Sequence, residues 1–529
     1  MRKPISFFDR RDGLSAGGSR QPTRLQPETG RWSRSDDASS RRLRLLALVD
    51  IGFVPPHARR DGPDYSLATG DMQWFQDNIP CQRACPATTD VARYIAFIAD
   101  GRYEDAYQVN WNDNVFSSCL GHICARPCED ACRRKYVDAP VGIRVLKRVA
   151  AERGHARHTT PRPAPNGRSV AIIGAGVAGL TAARELALRG YRVTVYERYP
   201  VPGGMLWAGV PAWRLPRATI IDDVRTVTDL GVEIRYQTAV GRDIQLRDLV
   251  DTHDAVVVAT GCPEGLDLAI PGKELDGVVG GLRFLEATNL DAQPPELDGL
   301  RVVTIGGGFT SIDCVRSALR LGARQSVLVY RRSRQEIPVE PEELEEAAAE
   351  GAEYHFLATP VRILSSAGRV TGVEFVRNEL GAPDASGRRE AVAVPGSEFV
   401  IASDLVIVAI GQRQSADFDP EGLVIRDGKI GPTMVGVDLG TVHPKIWLAG
   451  DVAAKPRNFI SAIADGKQVA AQIDAKLRGI RPAEQEAELI PLPIEGSWSS
   501  FSRGLDGIAG WSLSTPSRRL RRNDDYLST

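Results

Sequence analysis

Six of the eight cysteines fall between residues 81 and 132, in the runs Cys81-x3-Cys85-Pro86 and Cys124-x3-Cys128-x3-Cys132, with Cys119 just upstream. Thiols grouped in this way are soft donors for a metal centre in a reducing compartment, whereas disulfide frameworks belong to small secreted scaffolds. Four thiolates hold a cubane iron–sulfur cluster. Four also hold zinc, but zinc knuckles place their pairs two to four residues apart in small loops. The proline after Cys85 is a ferredoxin-like feature, and a redox cluster has a use beside the nucleotide sites described next, so the pattern favours iron–sulfur. Cys81, Cys85, Cys124, Cys128 and Cys132 are the candidate ligands. Cys262 and Cys314 stand apart and read as small core residues, and no CxxC pair marks a dithiol centre.

A second chemistry is written in two glycine-rich turns. The first, Gly174-Ala175-Gly176-Val177-Ala178-Gly179, follows the apolar run Val170–Ile173. Gly174 permits a tight turn, Gly176 lets the backbone approach a pyrophosphate, and Gly179 lets the next helix pack on the strand. That helix, Leu180 to Leu188, presents its free N-terminal amides to the phosphates. The following strand, Tyr191–Tyr196, ends at Glu197, where a carboxylate accepts hydrogen bonds from a ribose diol. The acid suits FAD or NAD. Two distant segments favour FAD: Gly261, closing Ala259-Thr260-Gly261 after the apolar strand 255–258, and Gly450-Asp451, before the helix that starts at Phe459. Both recur in flavoproteins with two dinucleotide domains.

The second turn is Gly306-Gly307-Gly308, with Ser311 at the third position, after the run Val302–Ile305. Its next strand, Ser326–Tyr330, ends not in an acid but in Arg331-Arg332-Ser333-Arg334. A carboxylate there would repel a 2′-phosphate, while guanidinium groups bind it bidentately. The sequence therefore argues for NADPH over NADH. The acidic run 338–344 reads as an exposed helix start, where carboxylates suit the dipole.

These turns need a framework to hold them. From residue 168 the pattern runs strand, glycine turn, helix, strand, and it repeats from 300, which predicts parallel α/β domains of Rossmann type. Residues 66–155 read as helical, with apolar positions at helical spacing in Val91–Ile98 and Tyr103–Tyr107. Residues 155–167 carry prolines and bases and fit a linker. Residues 1–65, rich in Arg, Ser, Gly and Asp, read as a loosely attached leader, and 481–529 as a tail without a core of its own. At 529 residues the chain has room for two to four domains. Its 43% hydrophobic content, 25% charged content and net charge of −1 give no field to gather nucleic acid or anionic membrane. No apolar run reaches bilayer-spanning length. The pair in Arg41-Arg42-Leu43 resembles a twin-arginine signal, but the apolar stretch after it is short, Asp50 interrupts it, and no small-residue cleavage site follows; the chain reads as cytoplasmic.

Over about residues 72–475 the chain resembles the small (β) subunit of NADPH-dependent glutamate synthase and its relatives, among them the N-terminal half of dihydropyrimidine dehydrogenase. The resemblance is carried by Cys128-Glu129-Asp130-Ala131-Cys132-Arg133-Arg134, Pro140-Val141-Gly142-Ile143-Arg144, Val201-Pro202-Gly203-Gly204-Met205-Leu206, the run Gly209–Pro216, Cys314-Val315-Arg316 and Tyr330–Arg334. It implies a helical iron–sulfur domain (66–155), an FAD domain (168–298 and 403–480) that includes Gly204, and an NADPH domain (299–402) inserted into it. It also implies electron flow from NADPH to FAD, through [4Fe-4S] clusters, to a large catalytic partner subunit or other acceptor protein, with no acid–base catalytic pair. In glutamate synthase that partner makes glutamate from glutamine and 2-oxoglutarate. A related reductase feeding a different partner, or a non-catalytic assembly protein that kept the fold, are the alternatives.

The sequence departs from the family in three places. Two-cluster relatives carry a CxxC before the position of Cys81, where this chain has Gln73-Trp74-Phe75-Gln76. By the resemblance Cys85, Cys124 and Cys128 belong to one cluster, while Cys81 and Cys132 supply half the ligands of another; at least one [4Fe-4S] cluster is expected. Cys119 is one place off the family's usual cysteine before Gly121. Phe309 stands where the family often has Asn.

Overall fold

The computed structural model describes residues 79–154, 163–290, 295–383, 387–426, 429–430, 441, 443–453 and 457–479. The leader, the twin-arginine pair, the Gln73–Gln76 stretch, most of the linker and the tail lie outside the described residues.

The N-terminal part is helical, as the 3.6-residue periodicity requires. Helix α1 (Val91–Ala99) starts at Asp90, whose carboxylate accepts from the Arg93 amide at 3.2 Å, and buries Val91, Tyr94 and Phe97. Helices α2 (Tyr103–Asp113), α3 (Ser117–Ile123) and α4 (Ile143–Arg153) complete the module. The cysteines sit on short turns between these helices and on α3.

The chain then forms β1 (Ser169–Ile173), α5 (Val177–Ala187), β2 (Arg192–Tyr196), α6 (Arg217–Thr228), β3 (Glu233–Arg235) and β4 (Ala255–Val258). It crosses into a second module built on β5 (Val278–Gly280), α7 (Gly281–Leu290), β6 (Arg301–Gly306), α8 (Phe309–Arg320), β7 (Gln325–Tyr330), α9 (Pro341–Ala349) and β8 (Glu353–Phe356). An antiparallel sheet of β9 (Ala358–Ser366), β10 (Arg369–Pro383), β11 (Arg389–Ala393) and β12 (Phe399–Ala402) follows, and β13 (Leu405–Ala409) closes the module. The chain returns to the first module with β14 (Ile446–Leu448) and α10 (Phe459–Arg478).

Both main sheets are parallel. The first has the order β14-β4-β1-β2-β3 and the second β5-β13-β6-β7-β8. Parallel neighbours need crossover connections, and the apolar helices that supply them cover the sheet faces. Every residue of β1 and β4 is buried. Because β14 pairs with β4 across the whole second module, that module is an insertion. The two connecting strands pair with each other, Glu264–Gly265 antiparallel to Gln412–Arg413. The second sheet draws in residues on both sides of the expected 299–402 span: β5 and β13 lie beyond its limits and pair with each other in parallel.

Candidate dinucleotide and iron–sulfur sites

The first glycine turn joins β1 to α5. Gly174 has φ of +105°, and a Cβ there would meet the Ala259 carbonyl at 2.6 Å; Gly176 faces open space, as a backbone cradle for a phosphate must. Gly179 serves packing instead. Its missing Cβ would meet the Gly174 carbonyl at 2.1 Å, so it seats the helix on the turn. Glu197 is 4% exposed at the end of β2. Its carboxylate accepts from the amides of Ala175 (2.7 Å) and Tyr199 (2.8 Å), tying the strand end to the glycine turn, while burial pushes its pKa up.

Three further loops converge on that turn. Gly203 donates its amide to the Ala175 carbonyl at 2.8 Å, and a Cβ on Gly204 would lie 2.9 Å from the Gly176 Cα. Gly261 follows β4 with open space before it, and the Thr260 hydroxyl beside it is buried without a hydrogen-bond partner among the described residues. After β14, Gly450 packs on Ala178, and Asp451 accepts from the Arg457 amide at 3.0 Å. Burial raises the Asp451 carboxyl. Asp465 of α10 accepts from the Gly450 amide at 3.2 Å and pairs with Arg457. Those last two residues fix the corner and carry no motif of their own. The open glycines and the orphaned Thr260 hydroxyl fit an extended dinucleotide such as FAD.

The second turn repeats the geometry between β6 and α8. A Cβ on Gly306 would meet the Ala409 carbonyl at 2.2 Å, the counterpart of Ala259, and Gly308 faces open space. Ser311 is fully buried, with its hydroxyl donating to that Ala409 carbonyl at 3.3 Å; like Gly179 it seats the helix on its turn. Phe309, 39% exposed, opens α8 beside Gly308. At the end of β7 the arginines part company. Arg331 and Arg334 are exposed. Arg332 is 4% exposed and its Nε donates to the Arg389 carbonyl at 2.6 Å, which ties it to the antiparallel sheet.

Cys85, Cys124 and Cys128 lie within electrostatic reach of one another, and Cys81, within reach of Cys132, also packs against the cluster that holds Cys128. Burial raises the thiol of Cys128 to about 12 and that of Cys81 to about 11. Among the described residues no three His, Cys, Asp or Glu side chains converge as they would on one ion. Three buried thiols in one place, with the Arg126 amide donating to Cys124 Sγ at 3.5 Å, are a donor set suited to an iron–sulfur centre. Cys119 turns away from the other thiols: its Sγ faces the Thr219 carbonyl at 3.7 Å and its amide donates to Asp223 of α6 at 2.9 Å.

Cys85 and Cys124 share a buried core with Val177, Ala178 and Ile460 of the first dinucleotide module. Lys467 of α10 donates to the carbonyls of Ala87 and Asp113, both at 3.3 Å, pinning the loop after Cys85. The acidic start of α9 is not merely solvated: Arg126, between Cys124 and Cys128, pairs with Glu340 (3.4 Å) and Glu342 (2.9 Å).

A family model described as pyridine nucleotide-disulphide oxidoreductase matches residues 168–466, more than half of the chain. The chain belongs to the pyridine nucleotide-disulphide oxidoreductase family. A second model, dihydropyrimidine dehydrogenase domain II, 4Fe-4S cluster, matches residues 76–159. FAD, NADPH and a 4Fe-4S cluster are accordingly the groups of its domains. The small chain of glutamate synthase (NADPH) from Escherichia coli is 32% identical over 74% of this chain and 87% of its own length. The β subunit of NADP(+)-dependent formate dehydrogenase from Moorella thermoacetica is 40% identical over 75% of this chain, and that of NADPH-Fe(3+) oxidoreductase from Geobacter sulfurreducens 42% over 82%. The chain spans 60% and 63% of the length of those last two. Among the described residues no helix is long and apolar enough to cross a membrane.

Proposed function

We propose that the chain is an electron-input subunit that oxidises NADPH and passes single electrons to a partner protein. The observation that carries this reading is the shared core of Cys85 and Cys124 with the first dinucleotide module. When bound, the flavin takes a two-electron equivalent from NADPH and releases electrons one at a time to the iron–sulfur centre. The protein contributes position. Gly176 and Gly261 leave room for FAD, Gly204 packs its loop on Gly176 beside it, Glu197 fixes the first turn, and Gly308 with the N-terminus of α8 receives the NADPH pyrophosphate. Arg331 and Arg334 take the 2′-phosphate. Cys85, Cys124 and Cys128 hold the cluster nearer the flavin, and Cys81 and Cys132 lie farther along the route to the partner.

The acceptor is a separate redox chain. The greater identity to the formate dehydrogenase and Fe(3+) oxidoreductase β subunits favours an acceptor of that kind over a glutamate synthase large chain. NADPH as donor and thiols as cluster ligands support a cytoplasmic location. Anaerobically purified protein should carry flavin and iron with acid-labile sulfide, and should reduce a dye with NADPH faster than with NADH. A colourless protein that still binds a partner would return the assembly reading.

A further inference from the structure

Helix α4 turns three residues inward: Ile143, Lys147 and Ala150. Ile143 and Ala150 pack in one buried cluster with Cys128 and Tyr94. Lys147, one helical turn from each, is 5% exposed. A lysine covered this far is rare, and its ammonium is best held where an opposite charge lies close. Among the described residues Lys147 makes no ion pair or hydrogen bond. The nearest carboxylate on this loop, Glu129, is already engaged, accepting from the Arg144 amide at 2.8 Å and pairing with Arg126 at 3.6 Å. The groups on which Lys147 acts electrostatically are Cys124 and Cys128.

We propose that Lys147 is the built-in counter-charge of the iron–sulfur site at Cys85, Cys124 and Cys128, and that it makes that site easier to reduce. The proposal rests on the iron–sulfur reading given above. Thiolate ligation leaves such a site negative, and the arriving electron adds one more negative charge. Net charge and surroundings set the reduction potential of these centres. A cation held close favours the more negative state. The other charges near the thiols are Arg144, whose Nη1 donates to the Cys124 carbonyl at 3.4 Å, Arg126, whose guanidinium is taken up by Glu129, Glu340 and Glu342, and Glu129 itself, which opposes them. Of these three cations, Lys147 is the one that is buried.

The test is a pair of measurements on the full chain and its Lys147→Met, Lys147→Gln and Lys147→Arg forms. In a redox titration followed by electron paramagnetic resonance, both neutral variants should lower the reduced-to-oxidised ratio at the wild-type midpoint about tenfold, which is about 59 mV for a one-electron couple. The arginine form should keep most of the wild-type value. In thermal unfolding the sign should reverse with loading. Stripped of iron, Lys147→Met should melt higher than wild type because an apolar side chain replaces a largely covered cation without a partner, and loaded it should melt lower. A merely structural lysine would lower both. A loaded neutral variant with an unchanged potential would overturn the proposal alone. A wild-type chain that takes up no iron or sulfide after reconstitution would overturn the iron–sulfur reading as well.

Discussion

Arg214, in the loop that precedes α6, donates from Nη1 to Asp313 of α8 at 2.8 Å and pairs through Nη2 with Glu343 of α9. Next to it Trp213 is flanked by the guanidiniums of Arg316 (4.4 Å) and Arg320 (4.3 Å). Arg316 in turn pairs with Glu346 and Glu350. The first dinucleotide module thus grips the coenzyme helix of the second at one buried point. Removing one partner of such a pair strands the other charge, which costs about 3–5 kcal/mol. Arg214→Ala should therefore lower unfolding stability by about that much. It should also slow flavin reduction by NADPH at saturating coenzyme about tenfold, since the two modules lose their fixed approach. Stopped-flow absorbance of the flavin beside urea unfolding checks both. An unchanged reduction rate would confine the latch to stability.

The split between Arg331 and Arg332 makes a sharper claim about coenzyme choice. Arg331→Glu should weaken NADPH about 100-fold or more and NADH little, as the new carboxylate repels a 2′-phosphate. Arg332→Ala should leave the NADPH-to-NADH ratio within about twofold and cost stability instead, because its guanidinium bonds the Arg389 carbonyl. Coenzyme titrations of the oxidised protein measure both ratios. Equal losses of the two coenzymes in Arg331→Glu would remove that residue from the 2′-phosphate site.

Both glycine turns were legible in the sequence because their demands are local: a positive φ at Gly174 and Gly306, and a bare backbone at Gly176 and Gly308. The alternation of strands and helices was legible for the same reason. What escaped depends on contacts between distant residues. The run Leu405–Ala409 reads as a buried strand in either module, and only its pairing with β6 and β5 assigns it to the second sheet. Asp465 and Arg457 hold the Gly450 corner without any motif. Arg214, Trp213 and Arg316 lay in runs that carried the family resemblance, yet nothing local tells that those runs meet. The inward turn of Arg332 escaped as well, because both arginines lie in the bend after β7 and the carbonyl that Arg332 bonds belongs to the distant Arg389.

The division of the cysteines predicts three classes of serine variant. Cys85→Ser, Cys124→Ser and Cys128→Ser should each lose most of the iron at the site nearer the flavin, since each removes a ligand of the same set. Cys119→Ser should keep wild-type iron and sulfide, as its thiol faces the Thr219 carbonyl. Cys81→Ser and Cys132→Ser should leave the flavin-side centre reducible by NADPH. Iron and acid-labile sulfide analysis with paramagnetic resonance of the reduced protein distinguishes the classes. Full iron loss in Cys119→Ser would show that this thiol swings into the site on loading.

Asp223 offers a test of the seam between the helical module and the first dinucleotide module through pH. It is fully buried on α6, and burial pushes its carboxyl up to about 6 from the ordinary 3.8, against the Cys119 amide and Ser118 hydroxyl that hold it charged. Between those two values the folded chain keeps a proton that the unfolded chain has released. The contribution of this group to stability is therefore fullest below about pH 4 and falls as pH rises through 6. Asp223→Asn keeps an oxygen for the Cys119 amide and removes the titration. Its stability relative to wild type should rise with pH across this window, reaching a gain of up to about 3 kcal/mol above pH 6. Urea midpoints of the two proteins at pH 4.5, 5.5 and 7 measure the gap. A gap that stays flat, or that closes as pH rises, would mean the carboxylate is held charged in the folded protein and that its hydrogen bonds outweigh its burial.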